Sequence, residues 1–137
     1  MKQTSFAETF VSLVTTTVAP RHAALRFTAP SSSYTAIHGS TGPAPDLVIE
    51  NVSTGRTVAA EVKVAEPGRP ISFSVLPAIK LMRAAFPDDR IKLVIFTVGE
   101  VPPGVRSGLE GENIQLESVQ SVEEAVKRLE TLVRELE

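Results

Sequence analysis

The chain contains no cysteine and no tryptophan, and it has one tyrosine and two histidines. Without cysteine there is no disulfide scaffold and no thiolate metal site. The two histidines, His22 and His38, are too few for a histidine-rich zinc site unless carboxylates join them. The low aromatic content predicts a core built from Val, Leu, Ile and Ala.

Long hydrophobic runs are also lacking, since no stretch approaches the roughly eighteen apolar residues of a membrane-spanning helix. Lys2 and the apolar residues after it faintly resemble a signal peptide, but Glu8 and the threonines at 15 to 17 interrupt the stretch. We therefore expect a cytoplasmic protein with no membrane contact. A chain of 137 residues with 42% apolar content predicts one compact domain over residues 1–137.

The hydrophobic pattern predicts an α/β domain with a mixed central sheet flanked by helices, in the order α-β-β-β-α-β(-β)-α. Ser5 and Glu8 fit a capping box at the start of the first helix, and the following threonines place its end near Val18 and Pro20. The other predicted elements are a strand at 24–28, a hairpin at 46–50 and 57–64, a helix from Ser74 to about Phe86, strands at 91–98 and 113–117, and a last helix opened by a capping box at Ser121 and Glu124.

The connections between these elements carry further expectations. The segment from Pro30 to Pro45, which includes His38, predicts a long loop, and the Pro- and Gly-rich stretch 99–111 has room for a short helix. The run at 91–98, which is nearly all apolar apart from Lys92, predicts a central strand, reached by a parallel crossover. A stripe on the last helix most often seals a sheet, although an exposed copy would suit a homodimer interface; its members are Val122, Val126, Leu129, Val133 and Leu136.

Three charged residues on the predicted hairpin indicate chemistry. If Ser53 pairs with Arg56 across a two-residue turn, Asp46 lies opposite Lys63, and Glu61 lies on the diagonal at about 7 to 8 Å by backbone. Lys63 follows Glu61 by two residues, so both point to one face. The structural alternative is that Glu61 and Lys63 flank one another on a solvated edge strand and that Asp46 is a turn residue.

Two carboxylates side by side in a sheet repel one another unless a cation or a basic neighbour compensates them. Mg²⁺ or Mn²⁺ meets this need, because such ions prefer oxygen ligands, keep several waters and take one or two protein carboxylates. Lys63 is placed to orient or help deprotonate a water, or to offset transition-state charge. The pattern predicts metal-assisted hydrolysis of a phosphodiester, with Asp46, Glu61 and Lys63 as catalytic residues.

Pro45-Asp46 and Glu61-Val62-Lys63 resemble the first and second motifs of the PD-(D/E)XK nuclease superfamily, whose fold is also called restriction-endonuclease-like. The family core is a helix, three strands, a crossover helix and a further strand, and this chain has a similar order over most of its length. The resemblance implies a DNA endonuclease, acting on branched DNA or as a restriction or defence module. It also implies that Asp46 and Glu61 are metal ligands and Lys63 is the catalytic lysine.

Two positions match the family pattern less well. Several members add a glutamate from the first helix as a metal ligand, and Glu8 is the residue that fits this place, although it fits the capping box equally. Many members carry a glutamine on the helix after the lysine, whereas residues 71–86 contain none. Ser72 or Ser74 would then occupy that position.

The net charge of −2 gives no general basic footprint for nucleic acid, but a local basic patch is sufficient. The candidates are Arg21, His22, Arg26, Lys80 and Arg83. His22 is interpreted as a surface residue beside Arg21. Because aromatic side chains for base stacking are scarce, duplex or branched DNA is favoured as partner over a single strand, and DNA over RNA.

Two other functions stay open at this point. A catalytically inactive domain of the same fold, binding nucleic acid or a protein partner, is favoured if the two carboxylates are splayed or salt-bridged away from one another. An unrelated α/β interaction domain is favoured if Asp46 and Glu61 fall on opposite faces of the sheet.

Overall fold

The computed structural model of the chain describes residues 3–29, 45–85, 90–110 and 114–137. Its elements follow the predicted order, with a short helix in the connection at 99–111. Their bounds are α1 Gln3–Leu13, β1 Leu25–Thr28, β2 Leu47–Asn51, β3 Thr57–Val64, α2 Val75–Ala85, β4 Ile91–Val98, α3 Pro103–Glu110, β5 Gln115–Ser118 and α4 Val122–Leu136. The predicted loop before Pro45, with His38, lies outside the described residues.

The five strands form one mixed sheet in the order β1-β2-β3-β4-β5. The pairs β1–β2 and β2–β3 are antiparallel, whereas β3–β4 and β4–β5 are parallel. The helices α2 and α3 make the two crossovers that parallel neighbours require. Strand β4 is buried from Leu93 to Thr97, as its continuous apolar run predicts.

The sheet separates two hydrophobic cores because successive strand residues point to opposite faces. On one face, Val58, Ala60 and Val62 pack with side chains of α1 and α4. The rings of Phe10 and Phe96 meet in this core with centroids 5.6 Å apart. On the other face, Ala59 and residues of β4 pack with side chains of α2 and α3. The domain therefore has a helix layer on each side of its sheet.

The first helix begins earlier than predicted, at Gln3, so Ser5 is its third residue and the predicted cap at Ser5 is wrong. After Leu13 the backbone widens into a π-helical turn at Val14–Val18. The hydroxyls of Thr15 and Thr17 donate to carbonyls four residues earlier, at 2.7 and 2.6 Å. Such bonds compete with the helical ladder, which accounts for the end of the regular helix at these threonines.

The last helix is capped at Ser121, as predicted, because the Ser121 hydroxyl accepts the Glu124 N–H at 3.1 Å. The Glu124 carboxylate in turn accepts the N–H of Gln120 at 2.9 Å, one residue before the cap. The predicted apolar stripe packs into the core and seals the α1 face of the sheet. Neither α4 nor any other helix among the described residues combines the length and apolar character that a bilayer crossing requires.

Candidate active site

The β2–β3 hairpin places Asp46 opposite Glu61. Leu47 pairs with Ala60 and Glu50 with Thr57, so the residue before Leu47 meets the residue after Ala60. The predicted pairing of Ser53 with Arg56 is wrong, because the N–H of Asn51 donates to the Arg56 carbonyl at 2.9 Å and a four-residue loop separates them. A shift of two residues keeps every side chain on its face. It makes Glu61, and not Lys63, the direct neighbour of Asp46.

The side chain of Asn51 explains this longer loop. Its amide oxygen accepts the N–H groups of Ser53 and Thr54 at 3.0 and 3.3 Å, which starts the loop at Asn51. Gly55 then turns the chain with a positive φ of 77°, a conformation that glycine adopts without strain. The pairing that aligns the two carboxylates is therefore set by the loop at the far end of the hairpin.

Asp46, Glu61 and Lys63 lie together on the face of the sheet that α2 and α3 cover. A carboxylate oxygen of Asp46 accepts the Val62 N–H at 2.8 Å, and its side chain is also hydrogen-bonded to Glu61. The Lys63 Nζ atom lies 3.6 Å from the Glu61 Oε2 atom. Glu61 is only 6% exposed, whereas the Lys63 side chain is 25% exposed. Asp46 is half-buried, so Glu61 is the enclosed member of the three.

The pKa of Glu61 is raised to about 9, and burial is the largest cause. The hydrogen bond to Asp46 and the negative charge of Asp46 also raise this pKa, while the Lys63 ammonium opposes the rise. Both contributions are expected for two carboxyl groups that share a dry site. In the chain alone, this raised pKa favours the protonated form of Glu61 at neutral pH.

The donor set of this site fits a hard divalent cation that keeps most of its waters. Asp46 and Glu61 are two adjacent carboxylates, the number that Mg²⁺ commonly takes from a protein. Among the described residues, no group of three or more His, Cys, Asp or Glu side chains gathers around a possible ion. Glu8 is exposed on α1, and the structure does not bring it to the carboxylate pair. These residues therefore do not form a metal site that is closed by protein ligands alone.

A cavity of about 460 Å³ opens beside Lys63 at the carboxyl end of β3. Ser72 and Ser74, the two candidates for the missing glutamine, line it together with Arg69. Their hydroxyl oxygens lie 3.0 Å apart. The volume falls in the range of small-molecule sites, about 300 to 1,000 Å³, so the lysine faces space that a substrate group can enter.

The two arginines expected to bind nucleic acid near the hairpin are engaged by carboxylates. Arg21 lies 2.6 Å from Glu130, and Arg26 lies 2.5 Å from Glu50. Such charge-assisted hydrogen bonds are stronger than those between neutral groups. A phosphate would have to compete with these carboxylates for the guanidinium groups.

His22 is buried, at 7% exposure, so its interpretation as a surface residue is wrong. The imidazole contacts the carboxylates of Glu130 and Glu137 on the last helix, which cover it. On α2, Lys80 is exposed, and Arg83 donates to the Ile91 carbonyl at 2.8 Å. Arg83 thus supports the start of β4.

Sequence reasoning missed a row of polar side chains that continues the site across the sheet. Thr97 pairs with Lys63, and Ser118 pairs with Thr97, at the carboxyl ends of three parallel strands. The Thr97 and Ser118 hydroxyl oxygens are 3.4 Å apart, and Arg106 on α3 reaches Ser118 at 3.5 Å. One signal was visible in the sequence, because Thr97 is the only hydroxyl residue in the apolar run at 91–98.

No protein-family model, curated protein or solved structure matches this chain. Its function is therefore inferred from the side chains of the site.

Proposed function

We propose that the protein is a metal-dependent nuclease of the PD-(D/E)XK type that hydrolyses phosphodiester bonds of DNA. The observation that carries the proposal is the alignment of Asp46 and Glu61 on one face, with Lys63 3.6 Å from Glu61 and open to a cavity. The element order and the mixed five-stranded sheet also support it. A group whose pKa is shifted by burial and by a charged neighbour, beside a cavity, is a candidate functional residue.

Each residue of the site has a role that follows from its surroundings. Asp46 and Glu61 would hold Mg²⁺ or Mn²⁺, which when bound supplies an activated water and neutralises charge on the phosphoryl group. The Val62 N–H fixes the orientation of the Asp46 carboxylate. Glu61 has to give up its proton to become a ligand, since only the carboxylate form binds a metal ion well. Lys63 presents its ammonium group to a phosphoryl oxygen or to the attacking water.

The finer features of the proposal concern the substrate and its setting. Duplex or branched DNA suits a protein with few aromatic side chains for base stacking. The chain supplies one set of Asp46, Glu61 and Lys63, so cutting both strands of a duplex in one encounter calls for two copies, and a homodimer belongs to the proposal in that sense. A cytoplasmic location also remains part of it.

The proposal is tested by incubating supercoiled, linear and four-way-junction DNA with the purified protein in magnesium, manganese or chelator. We expect metal-dependent cutting that falls at least about a hundredfold in Glu61→Gln and in Lys63→Ala. Lys92→Ala is the matched control, because Lys92 is an exposed lysine at the opposite end of the parallel strands. Equal cutting by the wild type and both site variants would refute the proposal.

One observation favours a second function, a catalytically inactive domain of this fold that binds nucleic acid or a protein partner. The pair of carboxyl groups is compensated without an ion, because Glu61 is buried with a raised pKa and Lys63 lies 3.6 Å from it. DNA binding with no cutting under any metal condition would select this alternative. An unrelated interaction domain is less well supported, since Asp46 and Glu61 share a face.

A further inference from the structure

The arginines of this protein differ in how firmly carboxylates hold them. Arg128 lies 2.7 Å from Glu117 and 2.9 Å from Glu124, as tightly held as the arginines near the hairpin. Arg106 is held loosely, at 3.7 Å from Glu110 and 3.5 Å from the Ser118 hydroxyl. Within the described ranges, no hydrogen bond or ion pair engages the guanidinium of Arg69, and only its backbone N–H donates, to the Glu66 carbonyl. Arg69 and Arg106 therefore have unused donors.

These two arginines lie at the same edge of the sheet as Lys63. Arg69 lines the cavity into which Lys63 opens. Thr97 and Ser118 follow Lys63 across neighbouring strands, and Arg106 reaches the end of that row. Two strand spacings separate Lys63 from Ser118, or about 10 Å along the sheet. All of these groups are at the carboxyl ends of the parallel strands, the edge at which open α/β sheets bind their ligands.

We propose that Arg69 and Arg106 are phosphate-binding residues that hold the nucleic-acid backbone along the sheet edge that carries Lys63. The inference rests on the proposed function, because it assigns the substrate's flanking phosphates to this edge. A guanidinium group offers paired N–H donors that match phosphate oxygens. The Ser118 hydroxyl, which is exposed, adds a further donor beside Arg106.

The lengths of the carboxylate contacts disfavour Arg21 and Arg26, which the sequence suggested, as phosphate-binding residues. Arg21 and Arg26 would have to break contacts of 2.6 and 2.5 Å before binding a phosphate, whereas Arg106 would give up contacts of 3.5 Å or longer. Acidic groups border the proposed path, since Glu66 lines the cavity beside Arg69 and Glu110 lies 3.7 Å from Arg106. Their charge disfavours a single free anion more than a DNA backbone that is held at several points.

The test measures binding of a labelled DNA duplex and of a four-way junction by fluorescence anisotropy, in chelator and at several salt concentrations. The variants are Arg69→Gln and Arg106→Gln. Arg134→Gln is the matched control, since Arg134 is exposed on α4 and its contact with Glu130 is equally long, at 3.7 Å. The same variants are measured with magnesium in the Glu61→Gln background, so that binding is read without cutting.

We expect each site variant to weaken binding about three- to tenfold and to lower the salt slope by about one, as the loss of one phosphate contact requires. Arg134→Gln should match the wild type within twofold. Equal losses in all three variants, or an absence of DNA binding by the parent protein in both buffers, would overturn the inference. If binding depends on Arg69 and Arg106 but no metal supports cutting, the inference stands and the nuclease proposal fails. Normal cutting with unchanged binding in both variants would instead overturn the inference and leave the nuclease proposal standing.

Discussion

Glu61 retains a proton that a carboxyl group in water would release. Its pKa in the folded chain is about 9, compared with 4.5 for the unperturbed group, mainly because it is buried. The folded state therefore binds this proton more tightly than the unfolded state does. The resulting stabilisation is fully present below pH 4.5, declines as the pH rises, and is lost once the pH passes about 9.

The variant Glu61→Gln should remove this dependence, because glutamine keeps the shape of the protonated acid and cannot ionise. In chelator, we expect the unfolding free energy of the wild type to fall relative to that of the variant by roughly 1 kcal/mol per pH unit between pH 6 and 9. Urea unfolding at several pH values measures this difference. Glu135→Gln, on the exposed side of α4, is the control and should parallel the wild type. Parallel curves for wild type and Glu61→Gln would show that Glu61 is not protonated.

At the scale of elements, the spacing of apolar residues predicted the strands correctly, whereas the predicted turn between β2 and β3 was wrong. The runs at 57–64 and 91–98 have the bounds that the sequence predicted, since both are rich in the apolar and β-branched residues that buried strands contain. The turn between β2 and β3 was misread because Gly55 suggested a two-residue turn, whereas Asn51 accepts the bonds that make it longer. The face of each carboxylate was predictable from the period of two, but its direct neighbour was not.

Asn51 should be a strong stabiliser of this hairpin. Its amide oxygen accepts two loop N–H groups, and its amide nitrogen donates to the Leu136 carbonyl at 2.8 Å. We expect Asn51→Ala to lower the unfolding free energy by about 1 to 3 kcal/mol, because the Leu136 carbonyl and two loop N–H groups lose their hydrogen-bond partner. Ser53→Ala, at an exposed position of the same loop, should cost about 0.5 kcal/mol or less. Urea unfolding of both variants checks the difference, and equal losses would contradict this role of Asn51.

For the whole molecule, the sequence predicted which segments form the layers but not which distant side chains meet. His22 was misassigned because its partners, Glu130 and Glu137, lie more than a hundred residues away along the chain and reach it only when α4 docks. The polar row from Lys63 to Ser118 was missed for the same reason, since it depends on the register of two parallel strand pairs. Local patterns carry no information on such contacts.

Core substitutions on the two faces of the sheet should differ in their effect on the pKa of Glu61, although both lower the stability of the fold. Val94 and Ile95 are adjacent on β4 and fully buried, but Val94 packs on the α1 and α4 side, whereas Ile95 faces α2 and α3 beside Glu61. Replacing either residue by alanine should lower the unfolding free energy by about 2 kcal/mol or more. Only Ile95→Ala opens space next to Glu61, so only that variant should lower the pKa of Glu61 and flatten the pH dependence of stability. Urea unfolding at pH 6 and pH 9 distinguishes the two, and an equal change of pH dependence in both variants would show that the two faces are not independent.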